Sequence, residues 1–189
     1  FRRVLFRSSG AGATVGKMGG QHRAMKGGVG TAALVLPDGL VVAALVAVNA
    51  AGDVVDPATG QVVAGVRTED GRRLADVRTL LRGGSLVPRA KPGENTTIGV
   101  VATNARLTKT QTTKVAQMAQ DGIARAVVPA HTPFDGDTLF ALATGTHEKP
   151  ADLLTVGSLA AEAVAEAILR AVRAAKGLEG YPSASELAR

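Results

Sequence analysis

Two apolar runs, Thr31 to Leu36 and Leu40 to Asn49, flank the tripeptide Pro37-Asp38-Gly39. Proline and glycine supply the backbone angles a tight reversal needs, so the pattern predicts a hairpin. The second run, LVVAALVAV, is apolar at nearly every position, whereas a strand wet on one face would alternate. It predicts a strand covered on both faces, as in the inner sheet of a layered structure.

From Ala50 to Asn95 the texture changes to Gly, Pro, Asp and Arg, with QVVAGV and LADVRTLL as minor elements in a long connection. The last part, RGGSLVPRAKPGEN, has the weakest apolar pattern and is expected to be exposed, mobile and open to proteolysis. A strand then runs from Thr97 to Thr103. Thr108 and Gln111 form a capping box ahead of Val115, Met118/Ala119, Ile123 and Ala126/Val127, which predicts an amphipathic helix ending near Pro129. Another strand, Thr138 to Thr144, precedes a helix with the stripe Val156, Leu159/Ala160, Ala163/Val164, Ala167/Ile168 and Ala171/Val172. Glu166 and Arg170 make a solvated i,i+4 pair on its polar face, and Gly177 ends it. This order predicts α+β layers rather than alternating βαβ units.

At 189 residues and 46% hydrophobic content the chain suits one domain with a packed core. The absence of cysteine removes thiol nucleophiles and thiolate metal sites, and suits a cytoplasmic address. The longest apolar run, Leu40 to Val48, is far short of the ~20 residues a membrane helix needs. Of the net charge of +6, Arg2, Arg3 and Arg7 supply three charges in a leader, 1–9, that looks non-native. With aromatics at only 3%, no basic face with stacking rings is in view, and nucleic acid is not an expected partner.

GAGATVGKMGG, Gly10 to Gly20, invites a phosphate-loop reading, but the glycine spacing fails and Met18 stands where a magnesium-binding hydroxyl is needed. Lys17 is then either a surface charge or a cation near a reaction centre. His22, His131 and His147 are scattered without metal-ligand spacing, and His131, between two prolines, reads as a loop residue rather than a base. Neither cofactor nor metal is expected. Asp135 and Asp137 flank Gly136 before a strand: a solvated turn pair, or carboxylates able to position an ammonium group. Asn49 closes the most apolar strand; it either begins a turn or offers a fixed NH₂ to a developing oxyanion. Thr96 is a β-branched residue entering a strand. With the Asn95–Thr96 bond broken, it would also carry an α-amine of pKa ~7.7–8.0 able to take its own hydroxyl proton.

Taken together in chain order, GAGATVGK, KGGVGTAAL, VVAALVAVNAAGDVVDPATG, GENTTIGVVATNARLTKTQ, MAQDGIARAVVPAHTPFDGDTLFALATG and EAVAEAILRAV resemble peptidase family S58 over Gly10 to Val172. That family holds aminopeptidase/esterase enzymes, β-peptidyl aminopeptidases and nylon-oligomer hydrolases; the Asn-Thr junction is most similar to the last branch. The resemblance implies an αββα sandwich of the self-cleaving N-terminal-nucleophile type, in which a single domain, 10–189, splits into 10–95 and 96–189. It implies Asn95–Thr96 as the self-cleavage site and Thr96, rather than Thr97, as the nucleophile. Lys17, Asn49, Asp135 and Asp137 match its active-site positions. A small peptide or amide substrate and a homo-oligomer are further implications. The family carries an additional segment ahead of the glycine-rich motif, so the chain is expected to be truncated at its front. Acyl transfer, as in the similarly self-cleaving ornithine acetyltransferases, and an inactive fragment or assembly module are the alternative expectations.

Overall fold

The computed structural model describes residues 10–84, 86 and 95–187. The leader and most of the stretch expected to be mobile, residue 85 and residues 87–94, lie outside the described residues. In chain order the elements are β1 (Thr14–Val15), β2 (Met25–Lys26), β3 (Gly28–Val35), β4 (Val41–Val48), β5 (Asp53–Val55), β6 (Val62–Ala64), α1 (Val77–Arg82), β7 (Ile98–Thr103), α2 (Lys109–Ala126), β8 (Val127–Val128), β9 (Thr138–Ala143), α3 (Leu153–Ala174) and α4 (Ala184–Leu187).

The predicted hairpin is β3–β4. Gly39, at φ 86°, donates its N–H to Leu36 O, and the Asp38 carboxylate takes the N–H of Leu40. The principal sheet has the order β3-β4-β7-β9. β4 and β7 are antiparallel, with Val46 opposite Gly99; β7 and β9 are parallel, with Val100 opposite Phe140. The α+β layering holds, and within it β7, α2 and β9 make a βαβ unit, with α2 the crossover joining the two strands. A parallel partner must be entered from the same end of the sheet, which the chain achieves by returning along a helix. The remaining strands form a two-stranded pair, β1-β2, and a small sheet, β6-β5-β8.

Helices α2 and α3 cover one face of the principal sheet. Thr108 caps α2 through the predicted box with Gln111, and the Asp152 side chain caps α3 by accepting from Thr155 N. The buried stripe of α2 is Val115, Ala119, Gly122, Ile123 and Ala126, four of them expected from spacing alone. Gly122 is the close-approach point: a Cβ there would meet Ala161 O of α3 at 2.3 Å. Glu166 and Arg170 pair at 2.7 Å on the outer side of α3. The opposite face of the sheet is apolar too, yet among the described residues it is open, with Leu45, Ile98, Phe140 and Leu142 exposed. The expectation that β4 is covered twice is thus met on one face here. The apolar outer face has the character of an inner surface, suited to the second sheet of a sandwich.

One buried charge in the framework escaped the sequence reading. Lys26 is 5% exposed, and its ammonium donates to Gly10 O (2.7 Å), Ala13 O (2.8 Å) and Gly27 O (3.3 Å). Burial holds its pKa below the usual lysine value. Three carbonyls answer its three N–H groups, so the glycine turn is pinned to β2. Lys26→Met is expected to leave those carbonyls short of a donor and to lower stability by about 1–3 kcal/mol, read as a fall in the urea midpoint.

Candidate functional site

The strand ends converge where β4, β7 and β9 begin or finish. β4 delivers Asn49 just past Val48, β7 is preceded by Asn95, Thr96 and Thr97, and β9 is preceded by Asp135, Gly136 and Asp137. The sheet register makes this meeting obligatory. Ile98 pairs with both Ala47 and Thr138, so the residues just outside all three strands share one edge.

Lys17 resolves as a buried cation rather than a surface charge. It is 2% exposed, and its Nζ donates to Asn49 Oδ1 at 2.8 Å and to Asn49 O at 3.1 Å. Gly16, at φ 73°, lets the chain turn into this position; a Cβ there would meet Gly65 C at 2.1 Å. Asn49 Oδ1 also accepts from Thr14 N at 3.1 Å, so the side-chain oxygen is fixed between two donors and the Nδ2 end is the donor end of the amide. The Asn49 carbonyl oxygen takes, besides Lys17, the N–H of Thr96 at 3.0 Å. One asparagine thus links the buried cation to the amide nitrogen of the Asn95–Thr96 bond.

The two neighbours of Thr96 are held as firmly. Asn95 is 1% exposed; its carbonyl oxygen accepts Gly136 N at 2.7 Å and its Nδ2 donates to Phe134 O at 3.2 Å. Thr97 is fully buried, donates its N–H to Asp137 Oδ1 at 2.8 Å, and has a buried Oγ1 with no partner among the described residues. Of the two adjacent hydroxyls, Thr96 is the half-buried one. The two hydroxyls thus differ in access: Thr97 Oγ1 is buried and Thr96 is partly exposed.

The acid pair divides its work. Asp135 Oδ2 receives Thr132 N (2.9 Å) and Thr132 Oγ1 (2.7 Å), closing its own loop, while Oδ1 faces Ala51 N at 3.4 Å, just beyond Asn49. Asp137 sits deeper: burial pushes its pKa up, Thr97 N–H pulls it down, Asp135 pushes it up and His131 pulls it down. The turn reading of Asp-Gly-Asp as a solvated pair does not describe these side chains. Nor does Gly136 adopt a positive φ. Its missing side chain matters for space, since a Cβ there would lie 2.8 Å from Thr96 Oγ1.

Sequence reasoning set His131 aside as a loop residue. The structure holds it at φ 53°, with Nδ1 3.4 Å from Asp137 Oδ2. The only signal in the sequence was its position six residues ahead of that aspartate in a proline-bounded loop. His147 lies elsewhere, buried between Lys149 O and Asp38 O. Among the described residues no cluster of three His, Cys, Asp or Glu side chains is placed to hold a metal, and no helix is long and apolar enough to cross a membrane.

These features can be set beside known proteins. The model of "Peptidase family S58" matches residues 7–185. An uncharacterized aminopeptidase of Mycobacterium leprae is 42% identical over 184 residues, covering 90% of this chain and 51% of that protein. A 6-aminohexanoate-oligomer endohydrolase of Kocuria sp. is 28% identical over 142 residues, covering 69% of this chain and 40% of that protein. Among solved structures, the L-aminopeptidase D-Ala-esterase/amidase of Ochrobactrum anthropi, described as a variant of the Ntn hydrolase fold, superposes with a TM-score of 0.57 at 23% identity, over 88% of this chain and 43% of its own. The fold is therefore of the N-terminal-nucleophile hydrolase type, and the chain spans about half the length of the curated relatives it matches.

Proposed function

Because this chain belongs to peptidase family S58, we propose that it is an amide hydrolase of the N-terminal-nucleophile kind, in which scission of Asn95–Thr96 yields two chains, 10–95 and 96–189, and frees Thr96 to act. The observation that carries the reading is the convergence on Thr96: its N–H rests on the Asn49 carbonyl, and its hydroxyl lies against the bare Cα of Gly136. Asp137 fixes the next residue through its N–H.

Once freed, the Thr96 nitrogen is an amine with a reference pKa of ~7.7–8.0, matched to accepting the hydroxyl proton near neutrality. Thr96 Oγ1 attacks the amide carbonyl, the amine passes the proton to the leaving nitrogen, and water releases the acyl group from the ester. Asn49 contributes Nδ2 toward the developing negative charge, in an orientation set by Lys17 and Thr14 holding its oxygen. Lys17 adds a buried positive charge behind it. In the uncleaved chain Asp137 grips the backbone beside Thr96 through Thr97 N, while Asp135 reaches Ala51 N just past Asn49. The pair's role is to hold the nucleophile in register. Short peptides, amino-acid amides and oligoamides are the substrate class that fits.

Intact-mass spectrometry with an amide-hydrolysis assay tests this. The expected result is two fragments, the second beginning Thr-Thr-Ile-Gly, with amine release rising in step with their formation. Hydrolysis by a chain still whole at Asn95–Thr96 overturns the reading, and acyl transfer to an added amine in preference to water changes its reaction class.

A further inference from the structure

We propose that the backbone N–H of Gly136 is a second oxyanion donor of this site, beside Asn49 Nδ2, first for the chain's own Asn95 carbonyl and afterwards for the acyl group of the substrate. The inference rests on Thr96 being the nucleophile.

Gly136 N lies 2.7 Å from Asn95 O, and that oxygen belongs to the carbonyl whose bond to Thr96 is broken. A parallel ladder makes such a bond in any case: Asn95 bridges to Asp135, and Thr138 N donates to Thr97 O at 3.0 Å one step along. What distinguishes Gly136 is that it faces two reacting atoms at once. Its N–H points at the oxygen that becomes negative, and its Cα lies under the oxygen that attacks, 2.8 Å from where a Cβ would be. With φ outside the left-handed region, no turn geometry demands glycine there. The small residue is required by the nucleophile above it.

The electron count places the charge on that N–H twice. Thr96 Oγ1 adds to the Asn95 carbonyl carbon, and the carbonyl π pair moves onto the oxygen facing Gly136. Collapse breaks the C–N bond, the hydroxyl proton ends on Thr96 N, and Asn95 is left as an ester on Oγ1. Water adds to the ester carbon through a second oxyanion in the same place, the C–Oγ1 bond breaks, and a carboxylic acid departs with the hydroxyl restored. A substrate's acyl group is later the same kind of ester on the same Oγ1, so its oxyanion falls in the position Asn95 O has vacated. A donor already fixed in a sheet ladder needs no reorganisation to meet that charge.

Replacing the 135–136 amide by an ester, through nonsense suppression with glycolic acid, deletes this N–H alone. Cleavage at Asn95–Thr96, followed by intact mass, is expected to slow by about 10²–10³-fold, with kcat for an amino-acid amide falling by a similar factor and KM little changed. A wild-type chain that cleaves while the ester variant keeps pace overturns this proposal alone. A wild-type chain that stays whole removes the self-processing reading and this one with it. Circular dichroism reports on folding. Should the ester disturb the fold, Gly136→Ala keeps the N–H and crowds Thr96 Oγ1, so cleavage is expected to slow by at least about tenfold; full-rate cleavage there shows that Gly136 does not face the attacked bond and overturns the proposal.

Discussion

Replacing Thr96 by alanine is expected to leave the chain whole at Asn95–Thr96 and to lower amide hydrolysis by at least about 10⁴-fold, because one substitution removes the attacking oxygen from both reactions. The variant should still fold. The contact that seats the residue runs from its backbone N–H to Asn49 O and survives the change. Thr97→Val is the matched control: Thr97 Oγ1 is buried without a partner among the described residues, so valine keeps the shape and removes an unsatisfied polar atom. Intact mass and amine release should therefore separate the two completely, with Thr97→Val cleaving at close to the wild-type rate. Cleavage that survives in Thr96→Ala and disappears in Thr97→Val would transfer the nucleophile's role to the neighbour.

The largest effect on stability is expected at Asp53, the fully buried first residue of β5. Its Oδ1 accepts Val66 N and its Oδ2 accepts Val77 N, each at 2.7 Å. These bonds tie the end of β6 and the start of α1 to the strand leading from Asn49. The small core of Met18, Ala51, Val66 and Val77 forms around that tie, directly beside Lys17. Burial pushes the Asp53 pKa up to about 7; the two amides pull it down, Asp76 pushes it up and Arg78 pulls it down. Asp53→Asn places an NH₂ against one of the two N–H donors, and a loss of about 2–4 kcal/mol is expected.

The pH dependence carries a definite sign. A carboxyl whose folded pKa lies above its unfolded value binds more protons when folded, so its contribution is fully present below the unfolded value of 3.8 and is lost as pH rises through about 7. Asparagine lacks this titration. The stability gap between wild type and Asp53→Asn should accordingly be wider at pH 4–5 than at pH 8, narrowing by roughly 2–3 kcal/mol across that range. Urea midpoints at the two ends of that range measure it, and a gap that does not change with pH would show that Asp53 titrates alike in both states.

The elements with a strong local cause were legible before the fold. Pro37-Asp38-Gly39 made a hairpin, the Thr108/Gln111 box began α2, and the stripe from Val156 to Val172 became the buried face of α3. Each depends on neighbours within a few positions, where spacing is geometry. Family resemblance carried Lys17, Asn49, Thr96, Asp135 and Asp137 to the site, and the structure draws all five together. It was silent on His131 and on the space above Gly136. Asp53 and Lys26 were not singled out, because nothing near them in sequence announces burial. Their partners, Val66 and Val77 for one and Gly10 and Ala13 for the other, are supplied by segments that only folding brings into reach.

By itself, then, the sequence determined the four strands of the principal sheet, the two long helices and the residue types capable of amide chemistry, since periodicity and chemical type are properties of a chain read along its length. The tertiary structure alone decided that β7 and β9 run parallel, which of two adjacent threonines is reachable, and whose backbone N–H meets the Asn95 carbonyl. Those are matters of register between strands distant in sequence, and register is fixed where apolar faces must meet the helices that cover them.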